Sequence, residues 1–126
     1  MIALVSTVDG VFAVDLESGE VDAAGAFDAP AAPVLNLPRV IAAAAAGATV
    51  VAAVDAKPPL LVSYDAGATW REAGRGLPVG RAVAIAESDP DTIVFATRNR
   101  LYVSRNGGVF WSAVAGELPE IVAVSV

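Results

Sequence analysis

The side chains that could do chemistry in this sequence are carboxylates, guanidinium and ammonium groups, hydroxyls and two phenols, because it contains neither Cys nor His. The lack of Cys excludes a disulfide framework and a thiolate metal site. The lack of His excludes a histidine general base, a Ser-His-Asp triad and most zinc sites. We therefore expect no metal site and no cofactor.

Several carboxylates fall in segments that are predicted to be turns. The segment Ser88-Asp89-Pro90-Asp91 is a turn signal with Pro in the favoured second position, and its spacing does not match a dedicated calcium loop. No two carboxylates can be recognised as the facing pair that a glycosidase requires. We interpret them as solvated turn residues: Asp9, Asp15, Glu17, Asp65, Asp89 and Asp91.

Length and charge restrict the class of protein. A chain of 126 residues is long enough for one ordinary domain, which we place at residues 1–126. Its formal net charge of −6 argues against a nucleic-acid partner, because phosphate binding needs a basic face. The longest apolar run, residues 40–54, is shorter than the roughly 20 residues of a membrane span. The N-terminus lacks a basic region before its apolar start, so the sequence predicts a cytoplasmic protein without membrane association.

Internal repeats organise the chain. The dipeptide Leu-Pro recurs at residues 37–38, 77–78 and 118–119. Each copy precedes an apolar strand, and further short strands follow between Gly, Pro, Asp and Asn turns. Four short strands per repeat of about 40 residues are typical of a β-propeller blade. The predicted strands are 40–43, 49–54, 60–63 and one opening at 69–70, then 82–86, 92–97, 101–104 and one opening at 110–111, then 121–124.

The apolar run at 40–54 has two interpretations. Residues 42–46 are all Ala and could form a buried helix. The repeat register instead favours two buried strands joined at Ala46-Gly47-Ala48, and we prefer that interpretation.

A turn motif lies between the third and fourth strands of a repeat, at residues 63–70. The carboxylate of Asp65 can accept hydrogen bonds from backbone N–H groups a few residues later. Gly67 stands where such a turn needs a positive φ, and the indole of Trp70 can cover one side of the hairpin. The complete motif is Ser63, Asp65, Gly67, Thr69 and Trp70; the degraded copy at 104–111 keeps Ser104, Gly108 and Trp111, with Asn106 for Asp and Phe110 for Thr.

This Ser-x-Asp-x-Gly-x-Thr-Trp motif resembles the Asp-box, or BNR, repeat of sialidase-like and sortilin-like β-propellers. The resemblance covers residues 37–126 well and residues 1–36 only by register. It implies an all-β propeller of four-stranded antiparallel blades. It also implies that the box stabilises the fold at the outer rim, away from the ligand site.

The blade boundaries predict how the chain assembles. Residues 1–36 supply three strands, 37–76 and 77–119 supply four each, and 120–126 supply one that belongs with the first three. Three blades are fewer than propellers use, and one chain would leave sheet edges that invite pairing. We therefore predict a homodimer that closes a six-bladed ring, in which residues 120–126 of each chain complete the blade begun by the other. The alternative is that the chain is a fragment of a longer Asp-box propeller.

The cations provide the candidate ligand site. In propeller geometry, the connections from fourth to first strand and from second to third strand share one face. Converging cations at such a mouth favour carboxylates or phosphates, and the alternative is that they pair with neighbouring acids such as Asp55 and Glu120. The candidate residues are Arg39, Arg81, Lys57, Arg98 and Arg100.

Two functions follow from the sequence. The first is a non-catalytic binding or interaction scaffold for an anionic small molecule, a glycan or a protein at the ring mouth. The second, suggested by the resemblance, is a sialidase-like glycoside hydrolase. Those enzymes use an arginine triad, a Tyr and a carboxylate, whereas the only phenols here are Tyr64 and Tyr102. We expect Tyr64 to lie at the rim and Tyr102 to pack, which favours the scaffold and makes enzyme activity the minor alternative.

Overall fold

The computed structural model describes all residues 1–126 and consists of twelve β-strands. It contains no helix, and so none that is long and apolar enough to cross a membrane. The strands are β1 (Ile2–Thr7), β2 (Gly10–Asp15), β3 (Val21–Ala24), β4 (Val40–Ala46), β5 (Thr49–Val54), β6 (Leu60–Ser63), β7 (Arg71–Ala73), β8 (Ala82–Ala86), β9 (Asp89–Ala96), β10 (Leu101–Ser104), β11 (Ser112–Val114) and β12 (Ile121–Ser125).

The strands form three four-stranded antiparallel sheets, as the sequence predicts. The first sheet has the order β12-β1-β2-β3, the second β4-β5-β6-β7, and the third β8-β9-β10-β11. The Ala-rich run is a strand that pairs with β5, so the helical interpretation is wrong. Two strands begin later than predicted: β7 begins at Arg71 and β11 at Ser112. The reason is that the N–H groups of Thr69 and Phe110 bond to side chains of the preceding turns rather than to a strand.

The last strand corrects the prediction of strand exchange. We expected residues 120–126 to complete the sheet of a second chain. Instead β12 pairs with β1 of its own chain, with Leu4 opposite Ser125 and Val5 opposite Val124. The first sheet is therefore assembled from both ends of one polypeptide.

Segment 25–39 makes this closure possible. It connects β3 of the first sheet to β4 of the second and belongs to no strand. Fully extended, such a segment can reach about 50 Å. Pro30 and Ala31 line a cavity together with Ala45, Ala86 and Val126, so the segment passes beside the ends of the first strands of all three sheets. This long path lets the first sheet lie on the far side of the third.

The third sheet lies between the other two. Its β8 packs against β4 on one side and β12 on the other, while the first and second sheets have no comparable contact. One core joins the first and third sheets and includes Val5, Val14, Val94 and Leu101. A second core joins the second and third sheets and includes Leu60, Val62, Ile85, Ile93 and Phe95.

A close approach between backbone and ring fixes the start of the third sheet. Phe95 is fully buried and meets Trp111 edge-on, with ring centroids 6.2 Å apart. Gly80 lies against this ring: a Cβ built there would be 2.2 Å from Phe95 Cε1 and 2.7 Å from the carbonyl oxygen of Ala96. Only glycine fits this position, and the reason is steric, because its φ is not positive.

We predict that Gly80→Ala lowers the free energy of unfolding by about 3 kcal/mol, as overpacking of a buried site does. Gly116→Ala is the matched control, because a Cβ there meets nothing within 4 Å and the backbone has no positive φ. The control should change stability by less than about 0.5 kcal/mol. Urea unfolding of both variants measures the difference, and equal stabilities would contradict the close approach.

Candidate functional site

The connections that carry the candidate cations lie at one end of each sheet, which we call the loop end. In the second sheet, Asp55 N donates to Arg39 O at 2.9 Å. In the third sheet, Arg81 N donates to Ala96 O at 2.7 Å. In the first sheet, the corresponding bond runs from Val8 N to Glu120 O at 2.9 Å. The structure thus places the two kinds of connection side by side in every sheet.

Two of the five candidate cations are engaged by one carboxylate. Arg81 Nη1 donates to Glu120 Oε2 at 2.8 Å, and Arg98 donates to Glu120 Oε1 through Nε at 3.1 Å and Nη2 at 3.0 Å. The Arg81 guanidinium, and next to it that of Arg98, hold the pKa of Glu120 below its ordinary value. This trio bridges the third sheet and the start of β12. For Arg81 and Arg98, the structure therefore shows the alternative interpretation, in which these cations pair with a neighbouring acid, Glu120.

The other three candidates have no ion pair. Arg39, Lys57 and Arg100 are exposed and make no salt bridge. Arg39 has a φ of 61°, a left-handed conformation that is strained for a residue with a Cβ. The backbone carbonyl of Arg100 accepts a bond from Thr97 N at 3.0 Å, which closes the turn between β9 and β10.

Lys57 shares a cavity with a cation that the sequence reasoning missed. The cavity has a volume of about 390 Å³ and includes Lys57, Pro58, Arg75, Leu77 and Pro78 in its lining. No acidic side chain lines it, and neither Lys57 nor Arg75 forms an ion pair. Arg75 lies in the connection from β7 to β8, which is the same kind of connection that holds Arg81. The sequence does contain a signal for Arg75, because the connections from a fourth to a first strand can be located from the repeats and this cation lies in one of them.

The 63–70 turn is held by side chains that bond its own backbone. Ser63 Oγ donates to Asp65 Oδ1 at 2.7 Å and accepts from Gly67 N at 2.8 Å. Asp65 also accepts from Thr69 N at 2.8 Å and from Thr69 Oγ1 at 2.6 Å. The Thr69 hydroxyl, then the Thr69 backbone N–H and the Ser63 hydroxyl, lower the pKa of Asp65 to about 2. The predicted positive φ at Gly67 is present, at 91°.

The 104–111 turn has the same geometry despite its altered residues. Ser104 Oγ donates to Asn106 Oδ1 at 3.0 Å and accepts from Gly108 N at 2.8 Å. Phe110 N donates to Asn106 Oδ1 at 3.0 Å. The amide oxygen thus replaces one carboxylate oxygen, and the hydroxyl contact of Thr69 has no counterpart. Trp111 Nε1 donates to Gly108 O at 2.9 Å, which pins the indole to the turn.

Both turns also connect neighbouring sheets. Tyr64, at the second position of the first turn, donates its hydroxyl to Gly107 O in the next sheet. Arg105, at the same position of the second turn, donates from Nη2 to Leu16 O of the first sheet at 2.8 Å. The turns lie at the ends of the sheets opposite the loop end. Their polar groups bond to the turn backbones and to neighbouring sheets, and their role in stabilising the fold stays a prediction.

The remaining carboxylates have different surroundings: Glu17 pairs with the N-terminal ammonium of Met1 at 2.8 Å, and Asp89 and Asp91 lie in β9 rather than in the turn predicted at residues 88–91. Asp15 Oδ1 accepts from Glu17 N at 2.8 Å and Ser18 N at 3.0 Å, and these bonds, that of Ser18 first, lower the pKa of Asp15. Asp89 Oδ2 accepts from the Thr92 hydroxyl at 2.9 Å. No group of three or more Asp or Glu side chains is close enough to hold a metal ion. Tyr102 packs at a ring-centroid distance of 6.4 Å from Phe95.

Comparisons with known proteins do not assign a family. No family model matches the chain, and no curated protein matches it. Among solved structures, the crystal structure of the Niastella koreensis GH74 enzyme is similar, with a TM-score of 0.49 and 20% sequence identity. The match covers 97% of this chain but 19% of that one, so the chain spans about a fifth of that enzyme's length.

We predict that acid weakens the fold through Asp65. Its pKa is lower in the folded chain, about 2, than the ordinary 3.8, so its ionised form stabilises the fold. That contribution is complete above about pH 5 and is lost as the pH falls towards 2. In Asp65→Asn, which copies the Asn106 turn, stability should depend less on pH between 5 and 2. Urea unfolding across this range measures it, and an unchanged pH dependence would contradict the assignment.

We also predict that Ala66→Gly raises the free energy of unfolding by about 0.5 to 1 kcal/mol. Ala66 has a φ of 59°, and the equivalent position of the other turn is Gly107, with a φ of 73°. Ala68→Gly is the matched control, because Ala68 lacks a positive φ and the glycine should only destabilise. Thermal and urea unfolding compare the two, and a less stable Ala66→Gly variant would refute the prediction.

Proposed function

We propose that this chain is part of an Asp-box β-propeller and serves as a non-catalytic binding scaffold. Its three four-stranded antiparallel sheets support this proposal, as do the two turns in which Ser63 and Ser104 make equivalent bonds. The ligand is an anionic small molecule, or an anionic group of a glycan or protein, held at the loop end. The cytoplasmic location remains a prediction.

The cavity shared by Lys57 and Arg75 is the observation that favours an anionic ligand. Two cations line one concave surface, with no carboxylate among its lining residues. By contrast, Glu120 already occupies the guanidinium groups of Arg81 and Arg98. An incoming carboxylate or phosphate would therefore find unpaired donors at Lys57 and Arg75 but would compete with Glu120 at the other site. We therefore place the anion in the cavity shared by Lys57 and Arg75.

The glycoside hydrolase alternative receives no support from the cavities. Each of the four main cavities is lined by at most one acidic residue, whereas that chemistry uses two facing carboxylates. Tyr64 donates its hydroxyl to a backbone carbonyl, and Tyr102 packs beside Phe95. Neither phenol faces a carboxylate pair in a cavity. We therefore keep the binding scaffold as the proposed function.

We predict that the double variant Lys57→Ala/Arg75→Ala binds anions at least tenfold more weakly than the parent. Calorimetric titration with citrate, inorganic phosphate and a sialylated trisaccharide measures it. Raising the salt concentration should weaken binding to the parent, because exposed charges are screened. The control is Arg71→Ala, which removes a cation whose guanidinium carbon lies 5.9 Å from the Tyr64 ring centroid.

The result is informative in either direction. Loss of binding in the double variant with retention in Arg71→Ala supports the site. Equal binding by the double variant and the parent would move the anion elsewhere. Failure of the parent to bind any of the three anions would overturn the proposed ligand class.

A further inference from the structure

The three sheets of this chain pack head to tail in the order second, third, first. The third sheet, which lies in the middle, packs on the second sheet through one face and on the first sheet through the opposite face. The second sheet turns Ala44, Val51, Leu60 and Val62 towards the third sheet. The third sheet turns the equivalent positions towards the first: Ala84, Val94, Leu101 and Val103. Strand pairing establishes this equivalence, because Ala44 is opposite Val51 as Ala84 is opposite Val94, and Val62 is opposite Val51 as Val103 is opposite Val94.

The same face of the first sheet has nothing packed on it from another sheet. Its residues alternate with those of the core, so they point away from the third sheet. Their pairing repeats the pattern above, with Leu4 opposite both Ala13 and Ser125, and Ser6 opposite both Val11 and Ala123. We call this set the open face: Leu4, Ser6, Val11, Ala13, Ala123 and Ser125.

Burial distinguishes the open face from its equivalents. In the third sheet, the six matching residues are at most 6% exposed, because the first sheet covers them. In the open face, all six are only half-buried. None of the six is charged, so the surface is apolar or weakly polar across three neighbouring strands. A face of this composition is covered by another sheet wherever else it occurs in the chain.

The complementary surface lies at the other end of the series. We call the face of the second sheet that points away from the third the distal face; it comprises Ala43, Ala45, Val50, Ala52 and Leu61. Its equivalents in the third sheet, which include Ile85, Ile93 and Phe95, are the residues that pack on the second sheet. Ala45 is exposed and Ala43 and Leu61 are half-buried, whereas Val50 and Ala52, on the central strand, are already buried. The series thus ends in two faces of the kinds that pack together inside it.

We infer that the open face is an interaction surface and that its partner is the distal face of a second copy of this chain. Within one chain the third sheet separates the two faces, so a contact of this kind needs another copy. Two copies joined through two such contacts close a ring of six sheets with two-fold symmetry. The inference rests on the proposed propeller arrangement, but it requires no exchange of β12, since each chain completes its own first sheet.

The test is the mass of the protein in solution, by size-exclusion chromatography with light scattering across a range of concentrations. We expect about twice 12.7 kDa for the parent. Ala13→Lys on the open face and Ala45→Lys on the distal face should each shift the mass to that of one chain. Ala13 lies opposite Asp22, so the lysine has an oppositely charged neighbour within the sheet. Val109→Lys, at a turn residue that is 65% exposed, is the matched control and should stay a dimer.

Mixing distinguishes this surface from other kinds of dimer. A mixture of Ala13→Lys and Ala45→Lys retains one intact open face opposite one intact distal face, so it should regain part of the dimer mass. Circular dichroism checks that each variant is folded, and either variant alone suffices if the other unfolds. A parent that is monomeric at every concentration, or variants on both faces that stay dimeric, would overturn the inference. Titrating Ala13→Lys with the same anions keeps this outcome separate from the proposed ligand site.

Discussion

The antiparallel pairing of β12 with β1 is the constraint on which the rest of the structure depends. It places Val124 beside Val5 and thereby builds a sheet from the two ends of the chain. Ile121 and Val124 then join Ala3 and Val14 in the core that covers the third sheet. Without this pairing β8 would lose its neighbour on one side, and buried residues such as Val94 and Leu101 would face water. The ends of the polypeptide are thus as central to the packing as its middle.

The strands and their order could be predicted because local signals mark them. Leu-Pro before each first strand and the Ser63 and Ser104 turns set a register that fixes every hairpin. The path of segment 25–39 carried no such signal, because its Ala and Pro residues have neither strand alternation nor a turn motif. That path decides whether β12 completes its own sheet or another chain's. Both arrangements use the same strand pairing, so the sequence pattern alone could not distinguish them.

The candidate site was predictable in its location but not in its charge pairing. Topology alone places Arg39, Lys57 and Arg81 at the loop end. Which cation meets which acid depends on distances between neighbouring sheets, and there Glu120 reaches both Arg81 and Arg98. The turns show the reverse case, in which sequence differences matter little. Asn106 replaces Asp with the same oxygen acceptor, so the geometry is retained while the charge is removed.

The adjacency of Met1 and Val126, which line one cavity, has a consequence for folding. The chain suits circular permutation, in which a short peptide would link these residues and new termini would open within segment 25–39. Most of that segment is exposed and hydrogen-bonds to no strand, as tolerated cut sites do. All three sheets would then be built from consecutive strands, β4 to β7, β8 to β11 and β12 followed by β1 to β3. The mean sequence separation of contacts would fall, and a lower contact order accompanies faster folding.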